Sequence, residues 1–247
     1  MTRPTHKLLT ALALLLATSV VTAAVADGRS ARLPRGGEPV NLNPANFTTR
    51  IDNPFWPMRR GSRWVYRETD SEGARQRVVV TVTRRTKLIA NGVRARVVRD
   101  VVTEKGTPVE VTDDYYAQDR AGNIWYLGEA TTEYEDGEPV STEGSFEAGV
   151  DGAQAGIIMP ARPRVGLTYR EEFYAGHAED RAKIVSLREQ AEVPFGHFRR
   201  VLMTRNTNPL EPRSVEFKFY ARGVGPVLAI GVSGGSDREE LVRFKRG

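Results

Sequence analysis

Apolar and polar residues alternate along most of the chain in short runs bounded by glycine, asparagine and aspartate. Arg63–Glu68 is short and carries Trp64 and Tyr66. Gln76–Lys87 holds the run Val78-Val79-Val80-Thr81-Val82, Val93–Thr103 alternates with β-branched residues, and Val109–Gln118 follows. The runs are separated by Asn91-Gly92, Lys105-Gly106, the turn Asp119 to Gly122, and Asp136-Gly137. Period-two runs punctuated by such dipeptides predict strands joined by tight hairpins. Asn91-Gly92 offers positive φ at both positions. Only Ser186–Glu192 reads as a helical turn. Ala148–Pro163, broken by Gly149, Gly152, Gly156, Pro160 and Pro163, reads as a long connection. The expected fold is all-β, an antiparallel meander.

The pattern repeats at a period of about 104 residues. Gly61-Ser62-Arg63-Trp64 has a counterpart in Gly166-Leu167-Thr168-Tyr169, Gly92 in Gly196, and Tyr116-Ala117 in Tyr220-Ala221. Two fused six-strand units, residues 55–147 and 160–246, are therefore expected to form one curved sheet or barrel-like domain over 47–247. Each unit is small and one-faced, so the two should share a core.

The N-terminus carries a different signal. Arg3 and Lys7 precede an apolar run from Leu8 to Val21, and Ala24-Val25-Ala26 stands just before Asp27. This is the layout of a secretory signal peptide over 1–26. It predicts export to the cell envelope or the extracellular space, without stable membrane insertion after cleavage. Residues 27–46, polar and rich in Gly, Pro and Asn, read as a flexible leader.

The chain contains no cysteine, which excludes thiol catalysis and thiolate metal sites and leaves stability to packing. Arg3 and Lys7 supply two of the +5 net charge, so residues 27–247 carry +3. The basic cluster Arg94, Arg96 and Arg99 reads as a solvated strand face, and no nucleic-acid module is present.

Asn53-Pro54-Phe55-Trp56-Pro57-Met58 before Gly61-Ser62-Arg63-Trp64, then Tyr115-Tyr116-Ala117-Gln118-Asp119 with Gly122-Asn123-Ile124-Trp125-Tyr126, resemble uncharacterised secreted all-β proteins of actinobacteria. The tail Tyr220 to Val227 is similar to a strand–turn–strand ending of many bacterial envelope β proteins of unknown role. The resemblance covers most of the chain after the leader. It implies export and an antiparallel β fold, and brings no functional residue with it.

No motif for nucleophilic catalysis or phosphate binding is present. His177 and His197 lack a flanked nucleophile, and Ser145 lacks the second glycine of a nucleophile elbow. Asp113, Asp114, Asp119 and Asn123 are oxygen-rich but lack calcium-loop spacing, so neither metal nor cofactor is expected. The remaining site type is an apolar cavity where the two units meet, lined by Trp64, Trp125 and Tyr169. The leading expectation is a non-catalytic binding or structural protein holding an apolar small molecule or a glycan. The rival is a hydrolase using a carboxylate pair drawn from Glu129, Glu133, Glu135, Glu171 and Glu172.

Overall fold

The computed structural model describes residues 32–69 and 72–247. The segment 1–26 read as a signal peptide lies outside them. Sixteen strands are present among the described residues: β1 (Phe47–Thr48), β2 (Arg63–Thr69), β3 (Arg75–Leu88), β4 (Arg94–Glu104), β5 (Thr107–Asp119), β6 (Ile124–Glu135), β7 (Glu138–Ser141), β8 (Phe146–Glu147), β9 (Gln154–Met159), β10 (Thr168–Arg170), β11 (Glu172–Phe173), β12 (Arg181–Val193), β13 (Gly196–Asn208), β14 (Glu211–Ala221), β15 (Gly225–Ser233) and β16 (Arg238–Lys245).

Thirteen of these run antiparallel in the order β10-β12-β13-β14-β15-β16-β2-β3-β4-β5-β6-β9-β11. The sheet is thus a chain of hairpins, with β16 and β2 joining the ends of the two halves. Six strands, β2 to β6 and β9, make the first half; six, β10 and β12 to β16, make the second. Gly92 lies in the β3–β4 turn and Gly196 opens β13; Tyr116 and Tyr220 lie on β5 and β14, the fourth strand of each half. β10 and β11 are one short extended segment broken at Glu171. It pairs with β12 through Tyr169 and with β9 through Glu172. The two ends of the sheet therefore meet along this segment, and the barrel is nearly closed. Gly156 makes the meeting possible, because a Cβ there would stand 2.3 Å from the Glu171 carbonyl oxygen.

Two expected elements are corrected. Ser186–Glu192 is not a helical turn but the middle of β12. Its pairing to β13 shifts register between Ile184 and Ser186, Ser186 and Glu189, and Glu189 and Gln190. These bulges break the period of two, and Ile184, Leu187 and Ala191 end up with helix-like spacing while packing on the core. The connection Ala148–Pro163 contains β9, whose Gly156-Ile157-Ile158-Met159 is too short and too enclosed by Gly and Pro to show a period. At the β3–β4 turn only Gly92 has positive φ; the Asn91 side chain instead accepts from the Val93 amide.

The segment read as a flexible leader is laid against the barrel from Leu33 onward. Pro34 is buried and its carbonyl accepts from the Arg170 amide. The buried Arg170 guanidinium donates to the Gly36, Glu38 and Ala155 carbonyls. Arg96 plays a similar part across the sheet, donating to the Thr83, Arg84 and Arg85 carbonyls where β3 bulges away from β4. The basic cluster is thus divided: Arg94 is exposed, Arg96 is buried in this bulge, and Arg99 pairs with Asp113.

Candidate functional site

Successive side chains of a strand point to opposite faces of the sheet. One face of this barrel gathers Trp64, Tyr66 and Glu68 from β2, Val98 and Asp100 from β4, Asp114 and Tyr116 from β5, and Glu216, Lys218 and Tyr220 from β14. All of them line a single cavity of about 440 Å³. Strand register stacks them in levels. Tyr116 stands opposite Tyr126, Asp114 opposite Glu129, and Glu68 opposite Glu239.

One end of the cavity is aromatic. The Trp56 ring sits between Tyr116 and Tyr220, with centroids 5.8 and 5.9 Å away, and Tyr116 stacks on Tyr126 at 4.9 Å. Gly225 accommodates Trp56: its φ is +112°, and a Cβ there would lie 2.7 Å from the indole ring. Trp64 and Tyr66 anchor this end by donating to the Val224 and Pro226 carbonyls.

The rest of the wall is acidic. Nine carboxylates line the cavity against one ammonium, Lys218, which lies 3.3 Å from Glu216. Burial pushes the carboxyls of Asp100, Asp114, Glu129 and Glu171 up to about 7 and that of Glu239 up to about 8, and neighbouring carboxylates reinforce the shift. Glu172 and Asp180 are raised as well, again chiefly by burial. The Tyr126 hydroxyl lies 2.8 Å from Asp114 Oδ1 and 2.6 Å from Glu129 Oε2. It has one proton to give. When both bonds are made, one carboxylate accepts from the phenol and the other, protonated, donates to it.

Glu171 sits at the break between β10 and β11 and is only 3% exposed. Its Oε2 accepts from Asn206 Nδ2 at 2.7 Å, and Asn206 in turn accepts from the Thr204 hydroxyl. Its Oε1 has no partner, and neither has Asp100 Oδ1. Buried polar atoms are nearly always satisfied, so each such exception requires an explanation.

Of the three residues expected to line a cavity, Trp64 does. Trp125 and Tyr169 do not. The Trp125 indole donates to Asp119 Oδ2 and meets Phe47 edge-on, while Tyr169 is wholly buried on β10. The cavity itself also differs from the expected apolar seam, because the inward positions of β2, β4, β5, β14 and β16 carry acids. Asp113, Asp114, Asp119 and Asn123 do not converge. Asp113 accepts from Arg85 and Arg99, Asp114 faces the cavity, and Asp119 accepts from Asn123 and Trp125. Among the described residues, no group of three or more His, Cys, Asp or Glu is placed to hold a metal ion. Sequence reasoning named Glu129 and Glu171 only as members of an acid-rich set, and it missed Asp100, Lys218 and Glu239. The legible signal was the series Trp64-x-Tyr66-x-Glu68 and Glu216-x-Lys218-x-Tyr220, aromatic at one end and charged at the other.

The chain matches no protein-family model and no curated protein. It is similar to one solved structure, described as a "putative lipoprotein" from Parabacteroides distasonis ATCC 8503. The two share 13% identity with a TM-score of 0.42, over 77% of this chain and 98% of that one. A likeness at that level carries no conclusion about this protein.

Proposed function

We propose that this chain is an exported, non-catalytic binding protein whose barrel cavity takes a small organic cation. Export rests on the basic, apolar and Ala-Val-Ala layout of residues 1–26. Among the described residues no helix is long and apolar enough to cross a membrane. The observation that carries the ligand class is the buried, unpartnered Glu171 Oε1 within a wall of nine carboxylates and one lysine. A cationic group would satisfy that oxygen and offset the repulsion, and the aromatic end offers ring faces to the same positive charge. An apolar ligand would leave Glu171 Oε1 unpaired. A neutral glycan could donate to the acids but would not offset their charge.

Asp114 and Glu129, joined through Tyr126, are the specific observation in favour of a carboxylate-pair hydrolase. Burial raises both carboxyls to about 7, and a neighbouring carboxylate raises each further. The pair shares one phenol and leaves the unpartnered Glu171 Oε1 and the other cavity acids without a role, so binding is the better reading.

The test is calorimetric titration of the chain beginning at Asp27 with butylamine, butanol and glucose. The amine should bind, and more tightly as pH rises from about 5 to 8, because the cavity carboxyls lose their protons over that range. Equal binding of butanol, or turnover of a glycoside abolished by Glu129→Gln, would overturn this reading. Intact-mass measurement on secreted material should give a chain starting at Asp27, and recovery of the full-length chain in membranes would overturn the export assignment.

A further inference from the structure

We infer that the occupant is an unbranched oligoamine, whose ammonium groups follow an acidic tract leading from Glu171 out to the open ends of β5 and β6. This rests on the cation-binding reading and deepens it.

A second cavity of about 450 Å³ adjoins the first and shares Glu68, Asp100 and Glu239 with it. These three acids belong to the walls of both, so the acidic lining continues from one cavity to the next. The register gives its course. On β5 and β6, Tyr116 and Tyr126 form the inner level, Asp114 and Glu129 the next, Thr112 and Thr131 the third, and Glu110 and Glu133 the outermost. Asp100 on β4 stands beside Thr112. Carboxylates therefore recur along the tract rather than clustering at one point.

Two buried carboxylate oxygens without partners mark different compartments. Glu171 Oε1 belongs to the inner cavity, and Asp100 Oδ1 to the junction that both cavities share. A single compact cation answers one of them. A chain with several charges answers both, and its methylenes would run past the valines that interleave the acids: Val80 and Val98 inside, Val78 and Val102 further out. The one lysine in the inner cavity lies 3.3 Å from Glu216 and also acts to lower the carboxyl pKa values of Glu171, Asp180 and Glu239, but one ammonium cannot balance nine carboxylates. A metal ion is a poorer occupant, because among the described residues no three acids are grouped closely enough to hold one.

The experiment is a calorimetric series at about pH 8 with the chain beginning at Asp27. The probes are butylamine, 1,4-diaminobutane, spermidine and magnesium chloride. Affinity should rise by about tenfold or more from the monoamine to the diamine, and again to the triamine, as each added charge meets another carboxylate. Glu110→Gln, at the outer level and outside the inner cavity, should weaken spermidine by about tenfold while leaving butylamine within about twofold. Asp100→Asn should weaken spermidine by at least as much, and gives an independent reading if the Glu110 variant does not fold. Equal affinities for mono-, di- and triamine would overturn the oligoamine inference while leaving the cation reading intact. No binding of any amine would overturn both. Displacement of spermidine by magnesium at equal charge concentration would reduce the effect to diffuse screening and would also overturn the inference.

Discussion

The two faces of this sheet treat the same functional group in opposite ways. Asp113 and Asp114 are adjacent on β5. Asp113 faces outward and accepts from Arg99 at 2.8 Å and from Arg85 at 2.7 Å; these arginines hold its carboxyl below the usual range against the opposing pull of burial. Asp114 faces the cavity, and burial pushes it up to about 7. The same division falls between Glu240, lowered by Arg67 and Arg238 despite some burial, and Glu239, pushed up to about 8 by burial. The outer face pairs Asp113 and Glu240 with arginine, whereas the inner face sets Asp114 and Glu239 among other carboxylates. A fold stabilised only by charge pairing would not be built this way. Raised carboxyl pKa values mean that the inner acids cost stability once ionised, which is the premise of the cation-binding proposal.

The sharpest way to break this comparison is to remove the aromatic end on which the inner face rests. Trp64 is 1% exposed, packs on Phe244 at 5.2 Å and bonds the Val224 carbonyl. Trp64→Ala should cost about 3–5 kcal/mol in urea denaturation. A loss under about 1 kcal/mol would mean that the cavity wall does not depend on it.

Next in size is the pH dependence of the free protein. A carboxyl with a higher pKa folded than unfolded binds its proton more readily when folded. The contribution of Asp100, Asp114, Glu129, Glu171 and Glu239 is therefore full below about pH 4 and is lost as pH rises towards 7 to 8. Glu172 and Asp180 push in the same direction, while Lys218 opposes it at Glu171 and Glu239. Asp113 and Glu240 behave in the opposite way, losing their contribution as pH falls through their lowered values. The inner set is larger, so the melting temperature should fall by several degrees, on the order of 5 °C, between about pH 5 and 8. Saturating butylamine should restore most of this loss. A melting temperature that rises over that interval would refute the description of the inner face.

A smaller effect separates the two neighbours on β5. Asp114→Asn removes an acid from the cavity and keeps an acceptor for Tyr126, so it should raise stability at about pH 8 by roughly 1 kcal/mol. Asp113→Asn removes a partly exposed ion pair and should lower stability by at most about 1 kcal/mol, with the difference vanishing in high salt. Shifts of the same sign in both variants would erase the contrast between the faces.

The strands and their turns were legible in the chain because both signals are local. Alternation marks a strand with two unlike faces, and glycine beside a small polar residue marks a turn. Matching landmarks such as Gly92 with Gly196 and Tyr116 with Tyr220 gave the expectation of two like halves. The structure sets six strands in each. Where local signals failed, a long-range contact was responsible. β9 exists because β6 and β11 flank it, and the bulges of β12 hide its period. The candidate site was legible only as a surplus of acids with a few aromatics among them. Alternation says that Asp113 and Asp114, or Glu239 and Glu240, point to opposite sides, but not which side becomes the interior. That choice was made when the sheet curled until its ends met at Glu171. Curling put Asp114 and Glu239 into a confined space while their neighbours kept their arginines and the solvent. Sequence determined the residues and their two faces; closure of the barrel decided which face would be enclosed, because confinement and mutual proximity exist only in three dimensions.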